Sequence, residues 1–141
     1  MSEQNVEHCC SVTLIVVGNV FNPDEFTELL GFVPDQCWYR GERKKWVRPD
    51  GSVREFDSIS EQSGWKLFIP AEFKSEELSS QLDYWIDFIQ KHVTALRELQ
   101  PMGVEIILDL YISTLESAVL GPATLSQLGN LGIALEFTFS P

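Results

Sequence analysis

The chain has 141 residues, 44% of them apolar and 22% charged, which fits one domain with its own core and argues against disorder outside the termini. Its formal net charge of −11 repels nucleic acid and anionic membrane and attracts basic partners. Cys9, Cys10 and Cys37 are an odd set with two adjacent, so no disulfide framework is expected and a reducing, cytoplasmic setting fits best.

Met1 to His8 is polar and acidic and lacks the basic start and apolar core of a signal peptide. Residues 1–9 read as a flexible tail and 10–141 as a single α+β domain. Val12 to Val20 is apolar on both faces, the pattern of a central strand covered on both sides or at least flanked on both edges. A helix follows, with Asn22 as N-cap, Pro23 at the first helical position and Glu25 placed for a capping box. Phe21 and Phe26 have the spacing of a hydrophobic staple, and Gly31 is the C-terminal stop.

Pro34 to Tyr39 begins as an extended segment. Arg48-Pro49-Asp50-Gly51-Ser52 is a turn, flanked by Lys44–Arg48 and Ser52–Phe56 as a short hairpin. Asp57 to Ser63 reads as a mobile loop, and Gly64 to Ile69 as a strand ended by Pro70. A single long helix is predicted over Ser75 to Gln100, capped by Ser75 and stopped by Pro101, with Leu78, Leu82, Trp85, Ile86, Ile89, Val93 and Leu96 on one stripe. Val104 to Ser113 alternates as a strand, Pro122 to Asn130 reads as a short helix closed by Gly132, and Ile133 to Ser140 alternates again. The first six elements can be read as strand-helix-strand-strand-helix-strand. That order predicts a ferredoxin-like sandwich with a C-terminal short helix and strand, helices on one sheet face and the other face partly open.

Several of these features in order resemble a bacterial family catalogued as domain of unknown function 4279: the first strand, the Asn22-Pro23-Asp24-Glu25 helix ending in Leu29-Leu30-Gly31, then Pro34, Trp38 and Gly41. Gly64-Trp65 opening a strand, the long amphipathic helix and Leu128-Gly129-Asn130-Leu131-Gly132 complete the pattern, from Val12 to Phe139. The resemblance implies a small, bacterial, single-domain protein. It carries no activity and no functional residues over to this chain.

Trp65 and Trp85 fall on core faces, whereas Trp38 and Trp46 lie beside charged residues. Arg40, Arg43, Lys44, Lys45, Arg48 and Arg54 place six of the ten basic residues within fifteen positions. A basic sheet edge protected against aggregation explains them, and an anionic ligand or an acidic protein patch is the functional counterpart. Glu105 and Asp109, four apart on one strand, are about 13 Å apart, too far to share a metal or a proton. With Glu136 they read as an acidic, solvated sheet surface. His92 reads as a half-buried histidine with a hydrogen bond, and Cys37 as a small buried residue unless Arg40 lowers its pKa. No nucleophile motif, phosphate loop, metal site or cofactor site is visible.

The expectation is a non-catalytic cytoplasmic binding protein, an acidic molecule that holds or neutralises a basic protein partner as immunity proteins do. Trp38, Tyr39, Arg40, Arg43, Trp46 and Arg48 are the candidate binding residues. Trp46→Ala is expected to weaken binding with folding intact. The alternative is a sensor or regulatory module holding an anionic small molecule near Arg40, Arg43 and Trp38. No nucleic acid or membrane partner is expected, and a homodimer through an exposed strand or sheet face is also open.

Overall fold

The computed structural model describes residues 10–74, 76–113 and 119–140, so the expected tail at 1–9 and the expected cap at Ser75 lie outside the described residues. The chain runs β1 (Cys10–Gly18), α1 (Pro23–Leu30), β2 (Gln36–Trp38), β3 (Arg43–Val47), β4 (Val53–Ile59), β5 (Ser63–Leu67), α2 (Leu78–Lys91), α3 (Val93–Leu99), β6 (Glu105–Ser113), α4 (Pro122–Asn130) and β7 (Ile133–Ser140). The architecture is α+β. A five-stranded sheet has the order β2-β5-β1-β6-β7, and β3 and β4 form a separate two-stranded sheet. Among the described residues only the β6–β7 pair is parallel, which makes the large sheet mixed.

Helix α1 begins and ends as its residues dictate. The Asn22 side chain accepts from the Asp24 and Glu25 amides, and Gly31 closes the helix at φ 79°, a left-handed conformation that favours glycine. The staple rings of Phe21 and Phe26 meet edge to face at 5.4 Å. Phe26 in turn packs on Trp65 at 4.9 Å, which ties α1 to β5.

Two expectations change. Asp57 to Ile59 continue β4 as strand, and Ser63 already belongs to β5. The predicted long helix is interrupted at His92, whose backbone sits at φ −111° and ψ 20°. The His92 ring nitrogen Nδ1 lies 2.8 Å from the Phe88 carbonyl, and the ring packs against Phe88 and Phe32. These contacts hold a half-buried histidine where the helix axis breaks. The apolar stripe survives the break, because Leu82, Trp85, Ile86, Ile89 and Leu96 all join the core.

That core lies between the helices and one sheet face, with Val12, Leu14, Val16, Trp65, Ile106, Leu108 and Leu110 buried. Strand β1 needs help at its N-terminal end. It pairs with β6 from Cys10 onward, but with β5 only from Leu14. Fully buried Gln81 fills the gap: its Oε1 accepts from the Val12 amide at 2.9 Å, and its Nε2 donates to the Cys10 and Glu76 carbonyls. Trp85 Nε1 donates to the Val12 carbonyl at 2.8 Å. Two side chains of α2 thus stand in for missing strand residues.

The last strand departs from its sequence pattern. Ile133 is buried and Leu135 packs against the core, but Phe137 and Phe139 are exposed and stack on each other at 6.5 Å. β7 is the sheet edge, so one flank of these rings has no neighbouring strand.

Gln81→Leu keeps the size of the side chain but strips the Val12 amide and two carbonyls of a buried partner. It is expected to lower the unfolding free energy by about 2–4 kcal/mol in urea titration. A change below about 0.5 kcal/mol would show that water replaces the amide.

Candidate functional site

The sheet face away from the helices is built by alternation. Register places Gln36, Lys66 and Ile15 side by side across β2, β5 and β1, with Ile107 next on β6. Asp109 and Glu136 are direct neighbours across β6 and β7. On the side of Lys66 toward the end of β2, Trp38 lies over Gly64, and a Cβ at Gly64 would fall inside the indole.

Lys66 is 1% exposed, the one lysine among the largest fully buried side chains. Hairpin β3–β4 covers it. Lys66 Nζ donates to the Val47 carbonyl at 2.8 Å and lies 3.2 Å from the centre of the Trp46 ring, a close cation–π contact. The Gln36 amide clamps the same strand, donating to the Lys45 carbonyl at 2.7 Å and accepting from the Val47 amide at 3.0 Å. At the base of the hairpin its two arms are joined by Gly41 N–H to Ser60 C=O and Ser60 N–H to Glu42 C=O. Gly41 takes φ 94° in that turn.

Desolvation under this cover pulls the Lys66 ammonium down to about 7, opposed by the negative charges of Asp109, Glu136 and Asp35. Glu136 is pushed up by partial desolvation, by its hydrogen bond with Asp109 and by that group's charge. Asp109, 7% exposed, accepts from the Thr138 hydroxyl at 2.7 Å. Asp109 is therefore part of a covered polar cluster rather than of a solvated surface, because the strand partner and the hairpin shield it.

The hairpin stands off the sheet on either side of Trp46 and leaves two clefts. The larger, about 930 Å³, has a floor of Ile15, Val17 and Ile107, indole walls from Trp38 and Trp46, and charged groups that include Lys44, Glu61, Glu105 and Glu136. Such a volume suits a small molecule or a short peptide segment. The smaller, about 380 Å³, reaches Arg48, Arg54, Lys66 and Asp109.

The six candidates read from the sequence are distributed over this region. Trp38 and Trp46, both half-buried, are brought together with rings 5.9 Å apart. Trp46 is a lid on Lys66, so removing it uncovers a buried lysine, and Trp46→Ala does not isolate binding from folding. Arg48 lines the smaller cleft, whereas Arg40 borders a separate shallow depression. Arg43 pairs with Asp57 at 3.2 Å on the outside. Tyr39 is exposed, and its hydroxyl is pushed up to about 12, first by a hydrogen bond with Asp24. The Cys37 thiol is exposed at the surface and raised, by partial desolvation and then by Asp24 and Glu42, which removes the idea of an Arg40-activated thiolate.

Sequence reasoning missed Lys66 and Asp109 as covered groups, whereas Glu105 and Glu136 are exposed as expected. One signal pointed there: outward-facing Ile15 and Val17 on β1 require a cover on that sheet face too.

A family model matches residues 8–140, nearly the whole chain. The chain belongs to the family described as domain of unknown function DUF4279. No curated protein matches it. The DUF4279 description assigns no activity, so the chemistry of this DUF4279 chain rests on its own clefts. No helix among its described residues is long and apolar enough to cross a membrane.

Folding lowers the Lys66 pKa from 10.5 to about 7, so between those values the unfolded chain holds a proton that the folded chain has released. Stability from this group is therefore expected to rise with pH across that window, by at most about 1.4 kcal/mol per pH unit. Below it both states are protonated and the contribution is flat. Urea midpoints of the native chain and Lys66→Met, compared from pH 6 to 10, check this. Parallel curves would mean that the lysine keeps its ordinary pKa when folded.

Proposed function

We propose that the chain is a non-catalytic binding protein whose larger cleft receives a basic segment of a protein partner. The observation that carries this reading is the cleft itself. Apolar and indole surface lies below and beside an opening where Glu61, Glu105 and Glu136 outnumber Lys44 and Lys45. A lysine- or arginine-bearing segment with one apolar side chain satisfies both parts: the apolar group on Ile15, Val17 and Ile107, the cation at the carboxylates. The net charge of −11 supports the same polarity of partner by steering its approach. A cytoplasmic partner-neutralising role of the immunity type is consistent with such a surface.

The strand order supports a finer reading of the scaffold. β1, α1, β2, β5, α2 and β6, with the sheet order β2-β5-β1-β6, correspond to a ferredoxin-like sandwich. On this reading β3–β4 is an insertion between the second and third strands of that fold, and α4 with β7 extends it. The insertion converts an open sheet face into a pair of clefts.

Glu61→Lys with Glu105→Lys reverses two exposed charges at the larger cleft without touching the core. A partner captured from native lysate at moderate salt is expected to bind this variant roughly tenfold or more weakly, with most of the loss in on-rate at low salt. Undiminished capture would place the partner elsewhere on the molecule and defeat the reading.

A further inference from the structure

The smaller cleft has the opposite electrical character, and the reading of the larger cleft does not account for it. Trp46 and Arg54 are direct cross-strand partners in the hairpin, so both side chains leave the same side, toward the sheet. The Arg54 guanidinium lies 4.9 Å from the centre of the Phe56 ring, which orients it along the cleft wall. Half-buried Arg48 is held by a tight turn, its amide donating to the Ser52 carbonyl at 2.9 Å and its carbonyl accepting from Gly51. The ion pairs among the described residues are Arg43 with Asp57 and Lys91 with Asp87, so neither cleft guanidinium is neutralised by one. Behind them lies the Lys66 amine. One carboxylate, Asp109, lines the same space, and one of its oxygens is already engaged by Thr138.

We propose that this cleft binds a small organic anion, a carboxylate or phosphate monoester on a flat apolar body. Arg48 and Arg54 grip the anionic group, and Trp46, Phe56 and Phe68 enclose the body. Guanidinium forks match the planar or tetrahedral oxygens of such groups, and the volume of about 380 Å³ suits a single-ring ligand. The overall negative charge of the molecule does not forbid it, because at physiological salt charges beyond about 8 Å are largely screened and the local cations dominate. The bound anion also favours the charged form of Lys66, so binding takes up protons and weakens as pH rises through neutrality. Asp109 and Glu136 on the sheet and Asp35 just before β2 already act on that lysine, and Arg48 and Arg54 line the same cleft from the hairpin. The new anion adds to the first set.

The test is calorimetric titration of the full chain with phenyl phosphate and with benzoate. Inorganic phosphate serves as the bare anion and benzyl alcohol as the uncharged body. Saturable binding of at least one aromatic anion at about millimolar affinity or tighter is expected, with benzyl alcohol at least roughly tenfold weaker. Arg48→Gln and Arg54→Gln are each expected to weaken it by roughly tenfold while leaving the urea midpoint nearly unchanged. Glu61→Lys with Glu105→Lys, the pair that tests the larger cleft, is expected to leave anion binding intact. No saturable binding by either aromatic anion, equal binding of benzyl alcohol, or indifference to both arginine variants would overturn the proposal. Loss of binding in the glutamate pair would put the anion in the other cleft and overturn it too. Tight binding of inorganic phosphate alone would remove the aromatic body from the assignment and overturn that part.

Discussion

An ammonium group attached to the middle of a sheet face must be either solvated or covered. Lys66 is covered, and the rest of the site follows from how. Its amine needs an acceptor and a polarisable roof, which the Val47 carbonyl and the Trp46 ring supply from one strand of the hairpin. The same strand is clamped by Gln36, which sits beside Lys66 in the sheet register. Lys66 and Gln36 thus fix the height and position of a two-stranded element that, among the described residues, has no strand partner in the large sheet. The two clefts are the space that Trp46 leaves on either side.

This arrangement accounts for the concentration of basic residues in an otherwise acidic chain. The sheet face below the hairpin carries Glu105, Asp109 and Glu136, and the hairpin above carries Lys44, Arg48 and Arg54. The two layers attract each other over a distance, while no direct ion pair among the described residues joins them. Charges placed in this way are oriented but not neutralised, which is the condition for a surface to recognise a charged ligand. The layer is held by the Lys66 and Gln36 contacts to β3, and Arg48 and Arg54 take part in neither of the ion pairs among the described residues.

On the opposite face the requirement is different. There the helices cover apolar residues, and the polar difficulty lies in the backbone of β1 where β5 has ended. Gln81 and Trp85 resolve it by hydrogen-bonding to main-chain groups of Cys10 and Val12. Both faces thus use a side chain of one element to satisfy main-chain groups of another, Gln81 beneath the helices and Gln36 beneath the hairpin. The sheet is the floor on which both clefts are built.

Local chemistry was legible from the residues. Asn22, Pro23 and Gly31 determined where α1 starts and stops, because caps act within a few residues of the chain. The Pro49-Asp50-Gly51 turn determined the hairpin for the same reason, and the period-two pattern identified β6 and β7. The interruption at His92 was not legible, since it comes from a ring that packs on Phe32, far away in sequence. The site was legible only in outline. Trp38, Trp46 and Arg48 were recognisable as unusual, but a lysine between Trp65 and Leu67 reads as a solvent-facing strand residue until something is known to lie over it. Covering Lys66 and pairing Asp109 with Glu136 depend on contacts between segments that lie far apart in sequence. Sequence by itself therefore determined most of the elements, though not the break at His92 or the extent of β4, and the surplus of negative charge. The tertiary structure alone decided which charges face each other across a cleft, because strand register and the seating of the hairpin are properties of the assembled sheet.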